Sequence, residues 1–131
     1  MAYKGQPYPT TVVQKGKAKV SDGKSVRAIV PENTEIEAQA LTEVGGWLGF
    51  PSLEVKTGAG ETAEVVVTIA QEEFETDLID ETQDFKAGTK VYWDSTAGIL
   101  TETETGNRPA GRVTVGKDAN NVIWFILGPQ V

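Results

Sequence analysis

The chain has 131 residues, 39% of them hydrophobic and 24% charged, which is the size and make-up of one globular domain with a packed core. Its 19 Asp and Glu against 12 Lys and Arg give a formal charge of −7, which argues against nonspecific binding of nucleic acid or of an anionic membrane by the body as a whole. With no Cys and no His, disulfides, thiolate nucleophiles, zinc fingers, iron–sulfur ligation and every Ser-His-Asp or Cys-His arrangement are excluded, leaving carboxylate, Lys or Tyr chemistry.

The first residues, MAYKGQPYPT, have no apolar run behind Lys4 and no small-residue cleavage pattern, so we expect no secretory leader and a start in the cytoplasm. The longest apolar run covers 122–127, far short of the ~20 residues of a membrane-spanning helix, and no membrane partner is expected. Residues 1–30 hold Lys4, Lys15, Lys17, Lys19, Lys24 and Arg27 against Asp22 alone, a surplus of five positive charges in an acidic chain. Pro7, Pro9 and two Tyr without apolar periodicity make 1–10 read as an extended arm. The chain therefore divides into a basic arm over 1–24 and a single β-rich domain over 25–131. Lys4, Lys15, Lys17, Lys19 and Arg27 are the candidates for contact with an acidic partner surface.

From residue 25 the apolar period is two. Strands are expected over 25–30 and 34–41, then, after the Gly45-Gly46 turn, at Trp47-Leu48-Gly49-Phe50, and at 64–69 beyond Gly58-Ala59-Gly60. Residues 71–85 place Phe74, Leu78 and Phe85 near helical spacing, but Thr76 and Thr82 interrupt it, so a strand end followed by an acidic loop is expected. Gly88-Thr89 introduces a hairpin, Lys90-Val91-Tyr92-Trp93-Asp94 returning through Asp94-Ser95-Thr96-Ala97-Gly98 into 99–103. Strands at 111–115 and 122–127 close the chain. Many short strands with Gly turns and no βαβ alternation indicate an all-β fold, a small barrel or sandwich of short antiparallel strands with an extended N-terminal arm.

Glu72, Glu73, Glu75, Asp77, Asp80, Glu81 and Asp84 put seven carboxylates in thirteen residues. Calcium would suit such ligands, but the alternating positions and central Gly of a cation loop are missing, so no metal is expected and a hydrated loop is. A glycosidase would need two carboxylates beside aromatic platforms, and none of these acids stands in an apolar context that singles it out. Lys56-Thr57-Gly58-Ala59-Gly60-Glu61-Thr62 is glycine-rich without phosphate-loop spacing and reads as a turn. No catalytic residue and no cofactor is assigned. Trp124, between Ile123 and Phe125, reads as core; Trp47, Phe50 and Trp93 are candidates for contacts between subunits.

Three motifs in order, Gly88-Thr89-Lys90-Val91-Tyr92-Trp93-Asp94, then Thr103-Glu104-Thr105-Gly106-Asn107, then Gly111-Arg112-Val113, resemble the capsid cement family of tailed bacteriophages. The resemblance covers roughly 25–131, more loosely in the N-terminal half, and family members usually have a shorter N-terminus and a shorter link before the Gly88 strand. It implies a head decoration protein without catalysis, a homotrimer on the outer surface of the expanded capsid, bound to the major capsid protein and reinforcing the head against internal DNA pressure. On their chemistry the motifs are strand and turn formers, so they mark the fold and not a contact surface. The alternative from another class is a carbohydrate-binding β-module of the virion, with Trp47 or Trp93 as sugar platform.

Overall fold

A computed structural model describes residues 18–131, in which eleven strands and no helix occur. In chain order they are β1 (Ser25–Val30), β2 (Glu35–Ile36), β3 (Thr42–Val44), β4 (Trp47–Pro51), β5 (Val55–Lys56), β6 (Ala63–Thr68), β7 (Glu73–Thr76), β8 (Lys90–Asp94), β9 (Ile99–Thr101), β10 (Arg108–Val115) and β11 (Ile123–Leu127). They form a four-stranded sheet β1-β6-β4-β3, a five-stranded sheet β7-β11-β10-β8-β9 and the small pair β2-β5. All strand pairings are antiparallel, and the expected all-β class holds as a sandwich. Residues 18–24, the described end of the expected arm, are exposed and outside any strand.

The apolar side chains form two cores. One, under the five-stranded sheet, gathers Phe85, Val91, Trp93, Leu100, Val113, Ile123, Phe125 and Leu127; the other, within the four-stranded sheet, gathers Ala28, Val30, Ile36, Val44, Val65, Val67 and Ile69. Strand β4 belongs to both. Leu48 and Phe50 enter the first core while Trp47 packs on the second, as alternation along a strand requires. Phe50 stacks on Phe74 of β7 with ring centroids 4.3 Å apart, and Phe125 of β11 lies 6.4 Å from each, so three rings join the sheets.

Gly49 explains how β4 fits there. A Cβ at this position would overlap the Thr68 carbonyl oxygen and press on Val67 Cγ1 at 2.9 Å, so β6 crosses where only glycine leaves room. On the stretch of β4 before that crossing, the Gln130 side chain acts as a strand substitute: its Nε2 donates to the Leu48 carbonyl at 2.6 Å and its Oε1 accepts from the Leu48 amide at 3.3 Å. Arg108 of β10 clamps the other end of the sandwich, donating to Glu43 Oε2 at 2.7 Å and to the Gly46 carbonyl at 2.8 Å.

The expected hairpin is β8–β9. Asp94 Oδ1 accepts from the amides of Thr96 at 3.0 Å and Ala97 at 3.1 Å, and the Gly98 amide reaches the Asp94 carbonyl at 2.8 Å, the Asx-turn chemistry its sequence announces. Gly111 sits at a register shift of β10 against β8 with φ +151°, and a Cβ there would overlap the Ile126 carbonyl oxygen.

Two expectations need correction. The strand over 34–41 shrinks to β2, because Ile36 enters the second core and Leu41 the first, and the chain changes layers through a turn with Gln39 at φ 60°. The strand end expected before the acidic loop is present as β7 of the five-stranded sheet, with Phe74 turned inward. Trp124 is not core: β11 alternates, burying Ile123, Phe125 and Leu127 and leaving Trp124 45% exposed.

We expect Gly49→Ala to lower unfolding free energy by about 2 kcal/mol or more through overpacking against backbone. Phe125→Ala should cost about 3–5 kcal/mol, and Trp124→Ala under about 1 kcal/mol. Urea unfolding of the three variants checks the ranking, and a Trp124 variant as damaging as the Phe125 one contradicts the placement of β11.

Candidate binding surfaces

Because β11 buries every second residue, its other residues stand on the outer face of the five-stranded sheet, and the register fixes their neighbours. Glu73 of β7 faces Ile126 of β11, Ile126 faces Arg112 of β10, and Arg112 faces Lys90 of β8, one row across four strands. A second row runs from Glu75 to Trp124 and on to Val115 across a bulge. Trp124 Nε1 donates to Glu75 Oε2 at 3.0 Å and Thr114 Oγ1 to Glu73 Oε2 at 2.5 Å, which holds both carboxylates to the sheet. Val115 at 46%, Trp124 at 45% and Ile126 at 38% exposure form an apolar band between the acidic strand and the cations. Beside it runs an open groove of about 560 Å³ lined by Lys90, Tyr92, Arg112, Ile126 and Pro129 among others.

The outer face of the four-stranded sheet carries Ile29 and Val66, exposed by 56% and 41%. Arg27, a sequence candidate, lies on this face 3.8 Å from Glu64, with their side chains 79% and 53% exposed. Lys19 meets Asp22 at 2.5 Å, likewise in solvent. Such pairs contribute little and leave both cations free to change partner. Lys4, Lys15 and Lys17 lie outside the described residues.

The structure does not bring Trp47, Phe50 and Trp93 to a common surface. Phe50 and Trp93 are each 4% exposed inside the core of their own chain, so neither offers area to another subunit, and Trp47 is half-buried against the second core. Burial of Trp93 thereby removes it as a sugar platform as well. The Trp93 indole N–H has no acceptor among the described residues. What sequence reasoning missed is the face of β11 and its register partners; strict alternation in Ile123-Trp124-Phe125-Ile126-Leu127 was the signal, masked because all five residues are apolar.

The acidic loop after β7 is exposed yet tethered. Lys117 Nζ donates to the carbonyls of Glu81 at 2.8 Å and Gln83 at 2.7 Å, and Gln83 Oε1 accepts from Thr101 Oγ1 at 3.1 Å and the Glu102 amide at 2.7 Å. Phe85, fully buried at φ 48°, anchors the end of the loop, its amide bound to Glu102 Oε1 at 2.6 Å. No group of three or more acidic side chains among the described residues is placed to hold a metal ion. No described helix is long and apolar enough to cross a membrane. The Thr82 hydroxyl at 2.6 Å, seconded by the Thr82 amide at 3.1 Å and by the Lys117 charge, draws the Asp80 carboxyl below its ordinary range.

The described residues thus present broad sheet faces on which charged and apolar groups lie in register. A family model described as phage cement protein matches residues 20–128, and the chain belongs to that family of structural proteins of the phage capsid. No curated protein and no solved structure matches it. The family match spans both sheets, so the Gly88, Thr105-Gly106-Asn107 and Gly111 motifs are features of the β8–β10 scaffold within it.

A lowered folded-state value for Asp80 contributes stability above the ordinary Asp range that is lost as pH falls through the folded value. In a carboxyl NMR titration Asp80 should protonate below the value of an unstructured Asp, and Thr82→Ala should move it upward. An Asp80 midpoint unchanged by that substitution contradicts the assigned cause.

Proposed function

We propose that the protein is a head decoration protein: a homotrimer that binds the major capsid protein on the outer surface of the expanded head and stabilises the shell against internal DNA pressure. The family match over residues 20–128 is the observation that carries this reading. The charge distribution supports it, since residues 1–30 concentrate five surplus positive charges on a chain of net charge −7. In this reading residues 1–24 are an arm and 25–131 the docking domain. Lys4, Lys15, Lys17, Lys19 and Arg27 meet acidic groups of the capsid, and no catalytic step is involved. Twenty extended residues span about 65 Å at ~3.3 Å each, enough to reach from one capsid subunit to the next. A body held by two cores that share β4 transmits load between such contacts without deforming.

The test is saturation binding of the full chain to expanded heads that lack it, followed by co-sedimentation and imaging of the added density. Saturable density at symmetry-related sites is the expected result; no binding at any salt concentration overturns the proposal. Deleting residues 2–20 should abolish head binding and leave the trimer. Replacing Lys15, Lys17 and Lys19 together by Ala should weaken binding most at low salt, because exposed charges are screened beyond ~10 Å at 0.1 M. An unchanged salt dependence would move the contact away from these residues.

A further inference from the structure

The groove beside the apolar band of the five-stranded sheet is cationic and walled by rigid groups. Two of its lining residues, Lys90 and Arg112, stand directly opposite each other on β8 and β10, like charges that repel across one face of the sheet. Neither belongs to a salt bridge among the described residues. Glu73, the carboxylate of their row, is two strands away from Arg112 and engaged by Thr114. Glu104 is the single carboxylate of the lining, so the groove carries a positive balance in a chain of net charge −7. A carboxylate set between Lys90 and Arg112 would meet both charges and relieve their repulsion.

The rest of the groove is largely apolar and stiff. Gly111 and Gly128 bring backbone but no side chain to the lining, and at Gly111 a Cβ would overlap the Ile126 carbonyl oxygen. Tyr92 and Pro109, paired across β8 and β10, and Pro129 beyond β11 make walls with few rotamers, and Ile126 stands beside Arg112 in register. Little ordering of the protein is therefore needed on binding. At about 560 Å³ the groove has room for a few residues of extended chain and not for a folded element. Clustered cations beside an apolar slot are how acidic peptide motifs are read. A saccharide would call for several amides and carboxylates around its hydroxyls, and the lining has one of each, Gln71 and Glu104.

We propose that this groove takes an extended acidic peptide, an exposed segment of the capsid shell protein. A carboxylate of that segment sits between Lys90 and Arg112, and an apolar neighbour lies against Tyr92, Pro109 and Pro129. The source of the peptide rests on the decoration role proposed above, whereas its chemistry rests on the groove. The contact is separate from that of the N-terminal cations, since Arg27 stands on the other sheet.

The test is titration of the full chain with short poly-L-glutamate, followed residue by residue through amide NMR shifts, with binding to expanded heads measured on the same variants. Saturable shifts are expected at Lys90, Gly111 and Arg112. Arg112→Glu and Lys90→Glu should each weaken poly-L-glutamate binding at that site, and head binding, by at least about fivefold. Lys56→Glu, the same change of net charge at an exposed position of β5, should alter either by less than about twofold. Circular dichroism confirms that each variant folds. Shifts confined to residues 1–24 overturn the inference, because the acid is then held by the N-terminal cations. Tighter binding of polygalacturonate than of poly-L-glutamate at the groove also overturns it, and makes the ligand an acidic glycan. So does self-association of the chain that Arg112→Glu abolishes, since the acidic loop of a second copy is then the occupant. Heads that bind the wild type and both reversals equally rule out the shell protein as the source. Heads that bind no wild-type chain overturn the decoration role and that source together, while groove shifts with poly-L-glutamate would still establish the acidic-peptide site.

Discussion

The two-faced strand β4 is the constraint on which the rest depends. It packs Leu48 and Phe50 into one core and Trp47 against the other, and it can lie where it does only because Gly49 lets the backbone of β6 pass at that point. A sandwich held by two separate cores would behave as two small units, each with too little buried area to be stable by itself. Sharing one strand, and stacking Phe50 on Phe74 across the layers, couples them into a single cooperative body.

The β8–β9 hairpin was legible in the sequence because two local signals agree there: period-two alternation on either side of an Asp94 turn whose side chain bonds backbone two and three residues on. The segment 34–41 was misread for a nonlocal reason. Its alternation is real, but Ile36 and Leu41 serve different cores, and no pattern within eight residues records that the layers change in between. Trp124 was misread because an unbroken apolar run hides its own alternation; what turns Trp124 outward is pairing with Glu75 on β7, a strand announced by only four residues. The charge pattern of the face was out of reach for the same reason, since Glu73, Ile126, Arg112 and Lys90 become neighbours only through the registers of three strand pairs. The family resemblance was legible, because its motifs are turns and bulges whose geometry the sequence states locally.

The molecule separates its electrostatics by region. The N-terminal cations that sequence reading put forward are, where described, solvated and loosely paired, as suits contacts made after encounter. The acidic loop, which mutual repulsion would loosen, is tied to the sheet by one ammonium and one amide side chain, so its charge is held at a fixed place on the surface. The outer faces of both sheets combine the two signs with exposed apolar area, Arg27 and Glu64 beside Ile29 and Val66 on one, and Glu73, Glu75, Arg112 and Lys90 beside Trp124 and Ile126 on the other.

The Gln130 side chain has a consequence for how the free protein keeps to itself. Where β6 ends its short pairing with β4 at Phe50 and Pro51, the backbone at Leu48 would lie open as a slot between strands. A glutamine amide sets a donor nitrogen beside an acceptor oxygen, as a strand backbone does, and here both atoms are engaged on Leu48. The slot is thus plugged by the chain's own tail, and a foreign strand would have to displace it before it could thread into the sheet, which guards the subunit against swapping and fibrous aggregation.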